Sequence, residues 1–304
     1  MQKAITIVFV LLLIIFVLLF YIKVVENVVV VENVVNDEDV VSDKLKITFL
    51  DVGQGDATFI EFTNGEQMLV DCSIDARVIE ALGRVMEYWD HDIDYLLVTH
   101  PDLDHYGGCE EVLNRFEVKN IIYNGLKKDY DDMWNSFWFA VQNEGAEYVE
   151  IDSEEVWQIG RTTLHFFYPD HSIAVDARIP ENNKEPKDNN TSIVFELEHN
   201  NYEVLFMGDA EVDLEKYLLD VYGDQINTDL LKAGHHGSAN ASSQDFIDIT
   251  TPDYAVFSCG LDNSFSHPSP RVLKRLERAS STIWRTDLQG DIKFEIGDKI
   301  EVGL

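Results

Sequence analysis

Four side chains of types that commonly bind metal ions lie within six positions of this chain. The apolar run YLLV, residues 95–98, is followed by THPDLDH, which supplies His100, Asp102, Asp104 and His105. Imidazole and carboxylate groups together suit zinc, manganese or iron better than calcium. Acidic loops are common in a chain this acidic, but a cluster placed directly after a buried strand is a strong candidate for a metal site.

Two further residues of the same types end apolar runs later in the chain. Asp209 follows LFMG, and His235 follows LLKAG. Ligands from several strand ends can hold two divalent ions about 3.5–4 Å apart, with a carboxylate between them. Such a pair lowers the pKa of a bridging water and produces hydroxide near neutral pH, which can attack a phosphoryl or acyl group.

The segments that carry these ligands predict a fold built on β-sheets. Predicted strands alternate apolar and polar residues, Asn64-Gly65 marks a hairpin turn, and predicted helices have apolar residues at helical spacing. In chain order the pattern predicts strands at 44–52, 56–62 and 66–73, a helix at 76–89, a strand at 93–99, a helix at 107–116, a strand at 118–124, a helix at 130–144, a strand pair at 155–169, a polar loop at 171–190, a strand hairpin at 191–210, further strand–helix alternation and two final strands. This repeated order predicts two sheets sandwiched between helices.

Several stretches of the chain resemble one known family. The segment around His100 resembles the HxHxDH signature of the metallo-β-lactamase superfamily. The stretches FLDVGQGDATFIE (49–61), LFMGDAE (205–211), LLKAGHHGSANASS (230–243) and FSCGLDNSFSHPSPRVLKRL (257–276) are similar to the extracellular hydrolase domain of ComEC-type competence proteins and their stand-alone relatives. The similarity covers residues 46–294. It implies an α/β fold, the four-layer αββα metallo-β-lactamase sandwich of two mixed sheets.

The resemblance implies a set of ligands for two divalent metal ions, zinc or manganese. His100 and Asp102 would bind the first ion, and Asp104 and His105 the second. Asp209 would bridge the two ions. Asp104 is also expected to be needed for catalysis.

Three histidines near the end of the domain are implied to serve the same site. His235 would complete the second metal site, although its neighbour His236 is an alternative ligand or a catalytic residue that contacts substrate. His267, in FSHP, is expected to donate a proton or to hold a substrate phosphate. An ordinary loop histidine beside Pro268 remains the alternative interpretation.

This sequence departs from the superfamily pattern at the first metal site. Asp102 stands where the superfamily has its second histidine, a substitution that the ComEC-like branch shares. A further superfamily histidine is missing from KDNNTSIVFEL, residues 187–197, where Asn190 lies at or near its place. Fewer nitrogen ligands favour manganese over zinc, or leave one site weak or empty.

Other residues are expected to line or support the site. Gly53 and Gly55 of DVGQGD permit a tight turn, which would bring Gln54 and Asp56 close to the metals. Asp71, at the end of MLVD, resembles the superfamily aspartate that orients a metal ligand. Turn chemistry alone is the competing interpretation of these residues.

The amino-terminal segment predicts attachment to a membrane. Residues 4–22, AITIVFVLLLIIFVLLFYI, carry no charge and are long enough to span a hydrocarbon layer of about 30 Å as a helix. Lys3 precedes this segment and Lys23 follows it, without an obvious cleavage site. Residues 1–23 are therefore predicted to be a transmembrane anchor or uncleaved signal, with the hydrolase domain, residues 44–304, outside the cell.

Residues 24–43 are predicted to form a stalk between the anchor and the hydrolase domain. They contain the hexapeptide VVENVV twice in succession, followed by NDEDVVSD. A short amphipathic helix and a self-associating strand are both consistent with this repeat. The stalk is therefore a candidate for self-association.

Charge and cysteine content limit the environment of the protein. A net charge of −33 repels nucleic-acid phosphates and anionic membranes at modest salt. Adaptation to high salt, which screens that repulsion, and a very soluble acidic surface both explain it. Cys72, Cys109 and Cys259 lack CxxC spacing, so they predict neither a disulfide framework nor a zinc knuckle, but small buried residues that do not report the compartment.

These features predict a membrane-anchored, metal-dependent hydrolase. By analogy with the competence proteins, it is expected to be a phosphodiesterase or nuclease that uses a metal-bound hydroxide, with DNA as a candidate substrate. One alternative is a hydrolase of small phosphoesters or cell-envelope esters. A non-enzymatic alternative is a metal-binding surface protein that has lost turnover, which the missing nitrogen ligand near Asn190 keeps open.

Overall fold

The computed structural model describes residues 41–128 and 130–304. Within these ranges the strands are β1 (Leu45–Phe49), β2 (Thr58–Glu61), β3 (Gln67–Val70), β4 (Asp92–Val98), β5 (Glu117–Tyr123), β6 (Glu147–Glu150), β7 (Glu155–Ile159), β8 (Thr162–Tyr168), β9 (Val194–His199), β10 (Tyr202–Phe206), β11 (Leu230–Lys232), β12 (Tyr254–Phe257), β13 (Thr282–Arg285), β14 (Ile292–Ile296) and β15 (Ile300–Gly303). The α-helices are α1 (Arg77–Val85), α2 (Leu103–Tyr106), α3 (Cys109–Leu113), α4 (Asp132–Glu144), α5 (Val212–Tyr222), α6 (Gln244–Thr250), α7 (Pro270–Arg278) and α8 (Thr286–Gln289). Short 3-10 helices cover Asp188–Thr191, Gly223–Ile226 and Gly234–Gly237.

The strands form two mixed sheets, as the sequence predicted. The first sheet has the order β15-β14-β1-β2-β3-β4-β5-β6, and the second has the order β13-β12-β11-β10-β9-β8-β7. Strands β3 to β6 run parallel to one another, as do β10 to β13, while the remaining neighbours are antiparallel. Parallel neighbours end at the same edge of a sheet, so the loops after β4, β10, β11 and β12 lie where a site can form.

The two sheets pack face to face over a large apolar core. Phe195 on β9 and Phe206 on β10 stack with ring centroids 4.6 Å apart, and Phe49 of the first sheet packs against Phe206 at 6.1 Å. Helices cover the outer faces because their own apolar sides are buried there. Trp134 of α4 belongs to the cluster outside the first sheet, and Leu214 of α5 to the cluster outside the second.

Several elements differ from the sequence predictions. Helix α1 ends at Val85 rather than residue 89, and the aromatic residues beyond it, Tyr88 and Trp89, are exposed and contribute no packing that would extend it. The predicted ligand loop contains a helical turn, Leu103–Tyr106. Strand β6 was not predicted, because its four residues EYVE include two glutamates and form a short, partly exposed strand at the edge of the sheet. Three strands rather than two end the chain, with α8 between β13 and β14.

The expectation that all three cysteines are unpaired was wrong. Cys72 and Cys109 form a disulfide between the end of β3 and the start of α3, with Cα atoms 5.1 Å apart. The partners are 37 residues apart and share no motif spacing, so only the tertiary fold brings them together. Cys259 is free and buried, as predicted.

The predicted anchor at residues 1–23 lies outside the described residues, as does nearly all of the predicted stalk. Among residues 41–128 and 130–304, no helix combines the length and apolar character needed to cross a membrane.

Candidate metal centre

Loops from both sheets meet at one edge of the sandwich. The loop after β4 begins with Thr99, whose carbonyl accepts a 2.9 Å hydrogen bond from the Ile193 N–H of the second sheet. Gly208, after β10, has a positive φ of 51°, and a Cβ there would lie 2.8 Å from the Cβ of Ser192 and 3.3 Å from that of Thr99. This close approach brings the residues after β10 against those after β4.

Four buried side chains at this edge have the arrangement of a metal site. Asp56, His105, Asp209 and His236 each offer one ligand atom, and these atoms lie within 4.8 Å of one another. His105 Nε2 is 3.2 Å from Asp209 Oδ1, and His236 Nε2 is 3.7 Å from Asp209 Oδ2. The acidic residue after β10 is therefore shared by histidines from two different loops.

The free atoms of these side chains fit a divalent cation. Asp56 Oδ1, His105 Nε2 and Asp209 Oδ1 are buried without a hydrogen-bond partner, and so is Nε2 of the nearby His100. Buried polar atoms in folded proteins nearly always have a partner. A convergent set of unpartnered nitrogen and carboxylate oxygen atoms matches the ligands that zinc and manganese prefer.

His105 is held with one nitrogen bonded and the other free. Its Nδ1 lies 2.7 Å from Asp71 Oδ2, and the same carboxylate accepts 2.8 Å hydrogen bonds from the backbone N–H and the hydroxyl of Thr99. Burial disfavours the charged imidazole, but the carboxylates of Asp209 and Asp71 outweigh it and raise the pKa of His105 well above its usual value. The contact between Asp71 and His105 is the one expected for an aspartate that orients a metal ligand.

Asp56 reaches the site through the turn that follows β1. Gly55 has a φ of 124°, and a Cβ there would come within 2.5 Å of the Asp104 carbonyl oxygen. The Asp56 N–H donates to the same carbonyl at 3.1 Å. Burial alone would raise the pKa of Asp56. The charges of Lys232 and His236 have a larger, opposite effect and hold the pKa well below its usual value. The predicted site-lining residue is thus one of the four residues that could hold a metal ion.

Asp104 and His236 lie together at the more open side of the group. Asp104 Oδ2 is 3.1 Å from His236 Nε2, and His236 Nδ1–H donates to the Ser258 carbonyl at 2.9 Å. Burial lowers the pKa of His236, but Asp209 and Asp56 raise it more strongly, to about 10. His236 therefore lies in the group of four, whereas the predicted ligand His235 does not.

His235 lies farther out, and its side chain is 24% exposed. Its Nε2 is 3.7 Å from Asp209 Oδ2, and its Nδ1 is 3.5 Å from Glu211 Oε1. The side-chain amide nitrogen of Asn189 lies beside the ring, 3.1 Å from His235 Nδ1. Asn190 was predicted to lie at or near the place of the missing histidine. Its side-chain oxygen instead accepts a 2.9 Å hydrogen bond from the Glu211 N–H.

His100 and Asp102 lie beside the group of four but outside it. The His100 and His105 ring centroids are 4.2 Å apart, and His100 Nε2 is 3.6 Å from Asp102 Oδ2. The other Asp102 oxygen, Oδ1, accepts a 2.8 Å hydrogen bond from Lys128, which also pairs with Asp188 at 2.8 Å. The predicted ligands of the first ion therefore adjoin a lysine that the sequence did not single out.

His267 lies on the same side as the two adjacent histidines. Its ring centroid is 5.5 Å from that of His235 and 6.4 Å from that of His236, and the exposed Phe265 ring stacks on it at 5.7 Å. Burial and the charges of His235 and His236 lower its pKa to about 4. Gln54 accepts the Gly260 N–H at 3.2 Å and so ties the DVGQGD turn to this loop.

Lysine residues at the site were missed in the sequence. Lys232 is a charged residue in the otherwise apolar strand LLK, and that unusual position was the available signal. Lys128 follows an ordinary polar loop, so nothing in the local pattern distinguishes it.

Residues 50–260 match the family model of the metallo-beta-lactamase superfamily. This match covers more than half of the chain, and the chain belongs to that superfamily.

Among curated proteins, the chain is similar to ComEC-like competence proteins, as its motifs predicted. It is 27% identical over 285 residues to ComE operon protein 3 of Bacillus subtilis (strain 168), covering 84% of this chain and 33% of that protein. It is also 27% identical over 252 residues to Competence protein ComA of Neisseria gonorrhoeae, covering 83% of this chain and 32% of the relative. The chain thus spans about a third of the length of these relatives.

The solved structures agree on the fold. The metallo-beta-lactamase fold protein YhfI from Bacillus subtilis superimposes with a TM-score of 0.54 at 12% identity, covering 83% of this chain and 100% of that one.

Proposed function

We propose that this protein is a metal-dependent phosphodiester hydrolase. The observation that carries the proposal is the group of Asp56, His105, Asp209 and His236, whose buried ligand atoms lie within 4.8 Å of one another. Three of these residues retain a ligand atom without a hydrogen-bond partner. Membership of the metallo-beta-lactamase superfamily supports a hydrolytic reaction.

The proposed ligands fall into two groups. His105, Asp209 and His236, with Asp56 or Asp104, would hold one divalent ion, zinc or manganese. His100 and Asp102, together with Asp209, would hold the other, with His235 at the rim. A bound divalent ion supplies positive charge that acidifies a water molecule and stabilises negative charge on the phosphoryl group.

The surrounding residues have separate proposed roles. Asp71 fixes the ring of His105 through its Nδ1, and the Ser258 carbonyl fixes His236 in the same way. Asp104 is the proposed catalytic carboxylate, because it contacts His236 Nε2 and remains partly exposed to substrate. His267, whose lowered pKa of about 4 keeps its ring neutral near pH 7, would donate a hydrogen bond to a phosphate oxygen of the substrate.

DNA is the proposed substrate class, because the relatives that cover most of this chain are competence proteins. Hydrolysis of small phosphoesters or cell-envelope esters is the second candidate. The net charge of −33 favours that candidate at low salt, since it repels a long polyanion far more than a small ester. A surface protein that binds metal without turnover would show the same metal content and no cleavage.

We further propose that residues 1–23 anchor the protein and that the hydrolase domain acts outside the cell. The Cys72–Cys109 disulfide supports an oxidising compartment. Self-association through residues 24–43 is a separate proposal, which gel filtration of proteins starting at residue 24 and at residue 44 would test.

Metal analysis and cleavage assays test the proposed activity together. The soluble domain would be assayed with Mn²⁺ or Zn²⁺ on single-stranded DNA, duplex DNA, RNA and bis-p-nitrophenyl phosphate, at low and high salt. We expect metal-dependent cleavage in the native protein and a loss of at least a hundredfold in Asp104→Ala. Asp170→Ala, a change of the same type outside the site, should keep its activity.

The outcomes separate the candidates. Cleavage of the small ester alone would select the second candidate. A protein that binds metal and cleaves none of the substrates would favour the non-enzymatic alternative, and full turnover in Asp104→Ala would refute the proposed role of this carboxylate.

A further inference from the structure

Lys232 is a buried cation that the proposed reaction does not use directly. It lies on β11 between Phe206 of β10 and Val256 of β12, and it is 3% exposed. Its Nζ is 2.8 Å from Asp56 Oδ2 and 3.2 Å from the Ala233 carbonyl oxygen. The ammonium group is therefore placed against a member of the ligand group.

Stability alone does not explain this ion pair. Moving both charges out of water is costly, and apolar residues of similar size are often as stable as a buried ion pair or more so. Asp56 is also buried, at 4% exposed. We therefore expect Lys232 to have a role in holding the Asp56 carboxylate in place.

The two oxygens of Asp56 have different surroundings. Oδ2 accepts from Lys232, whereas Oδ1 is buried with no hydrogen-bond partner. Oδ1 is 3.7 Å from His236 Nδ1 and faces the cluster formed with His105 and Asp209. Lys232 thus occupies one oxygen and leaves the other directed at the candidate metal position.

We propose that Lys232 is a positioning residue that fixes the Asp56 carboxylate through Oδ2 and directs its Oδ1 to the metal. This inference rests on the proposed metal-dependent function. The pair also links the two sheets at the site, because Asp56 follows β1 in the first sheet and Lys232 lies in the second. Any relative shift of the sheets would move the carboxylate, so Lys232 couples the packing of the sandwich to the geometry of the ligands.

Metal affinity of the whole domain tests this role directly. Dissociation constants for Mn²⁺ and Zn²⁺ would be measured by titration calorimetry for the native protein, Lys232→Met, Asp56→Asn and the double variant. We expect Lys232→Met and Asp56→Asn each to weaken binding about 10- to 100-fold. The double variant should bind no more weakly than Asp56→Asn, because Lys232 acts through Asp56.

Lys119→Met is the matched control. Lys119 pairs with Asp94 at 2.6 Å on the first sheet, away from the ligand group. This variant also removes a lysine from an aspartate and should bind metal like the native protein. If Lys232→Met fails to fold, Lys232→Gln takes its place, since glutamine keeps a hydrogen-bond donor and loses the charge.

The results separate this inference from the proposed function. Native-like metal affinity in a folded Lys232 variant would overturn the positioning role alone. Additive losses in the double variant would also overturn it, since Lys232 would then act independently of Asp56. A native protein that binds neither ion would refute the metal-dependent function and this inference together.

Discussion

The two ring nitrogens of His105 have different surroundings, and this difference decides what the ring can bind. Nδ1 lies against Asp71, while Nε2 is buried with no hydrogen-bond partner. A histidine that donates from one nitrogen to a carboxylate presents a lone pair on the other, which is the form that binds a metal. We therefore expect Asp71 to contribute to metal binding without contacting the metal position.

Asp71→Asn should weaken Mn²⁺ and Zn²⁺ binding about 10- to 100-fold while the protein stays folded. An asparagine amide would face His105 Nδ1 as a donor and favour the tautomer that carries its proton on Nε2. Asparagine tolerates the left-handed backbone at this position, where φ is 60°. Titration calorimetry and thermal melting would measure the two effects.

Asp170→Asn provides the control for this substitution. Asp170 makes a similar 2.8 Å contact with Nδ1 of His171, outside the ligand group. The Asp170→Asn variant should bind Mn²⁺ and Zn²⁺ as tightly as the native protein does. An equal loss in both variants, or none in Asp71→Asn, would contradict the assigned role.

The sequence predicted the ligand types but not all of their partners. His105 and Asp209 follow recognisable apolar runs, and the structure brings them together. Asp56 and Lys232 are 176 residues apart, so no local pattern could reveal their contact. His235 and His236 are adjacent and both have left-handed backbone angles, so the direction of each ring follows from the turn and not from residue type.

At the scale of elements, a covalent link ties β3 to the helix behind the ligand loop. The Cys72 N–H donates to the His105 carbonyl at 2.6 Å, and its sulfur is bonded to Cys109 at the start of α3. The disulfide therefore joins the strand that presents Asp71 to the segment that presents His105. We expect it to stabilise both the fold and the ligand geometry.

Replacing both cysteines, Cys72→Ala with Cys109→Ala, should lower the free energy of unfolding by about 3–4 kcal/mol. The estimate follows from the loop that the disulfide closes, with a sequence separation of 37. Urea unfolding with and without a reductant would measure it. The reductant should destabilise the native protein and Cys259→Ala, and leave the double variant unchanged. An unchanged native midpoint after complete reduction would contradict this prediction.

A buried glutamate on the outer face of β9 makes the stability of the protein depend on pH. Glu196 is buried there, and burial followed by the nearby charges of Glu203 and Glu198 raises its pKa to about 8. The folded protein therefore binds this proton more tightly than the unfolded chain does. Its contribution to stability is greatest below the unfolded pKa of about 4.5 and is lost as the pH rises through about 8.

Glu196→Gln should therefore be more stable than the native protein at pH 9, by an amount on the order of 1–3 kcal/mol, and the difference should shrink toward pH 5. Unfolding free energies measured across this pH range would test the prediction. Glu117→Gln, on the exposed side of β5, is the control and should show little dependence. A constant difference between Glu196→Gln and the native protein would contradict the burial argument.

Apolar patterning predicted the central strands because their residues are buried, as in β4 and β9. It failed at β6, where two glutamates flank Tyr148 and Val149 in a short, partly exposed strand at the edge of the sheet. It also failed for the cysteines, since two buried cysteines can pair or remain free, and only the distance between them decides. The mixed character of both sheets was correctly predicted from the resemblance to the metallo-β-lactamase superfamily.

For the molecule as a whole, the net charge is −33, and few lysines lie at the candidate site to offset it. Long-range repulsion acts on a polyanion across the full surface, whereas a small ester is affected only near the site. Added salt shortens the range of this repulsion from about 10 Å at 0.1 M to about 3 Å at 1 M. Ionic strength should therefore distinguish the two classes of substrate.

We expect the KM for single-stranded DNA to fall roughly tenfold as salt rises from about 0.05 M to about 0.5 M. The KM for bis-p-nitrophenyl phosphate should change less than twofold, and that substrate serves as the internal control. Steady-state kinetics at fixed metal concentration would measure both values. A KM for DNA that rises with salt would show that local cations such as Lys128 dominate the surface charge.

The pairing of β1 with β14 also affects how the chain is assembled during synthesis. Lys44 beside β1 and Glu295 on β14 are 251 residues apart along the chain, yet they form an ion pair at 3.1 Å. The ribosome therefore exposes β1 long before its second neighbour exists. Until β14 emerges, β1 has an open edge that other nascent chains could pair with, so the first sheet is completed only after β14 and β15 have been translated.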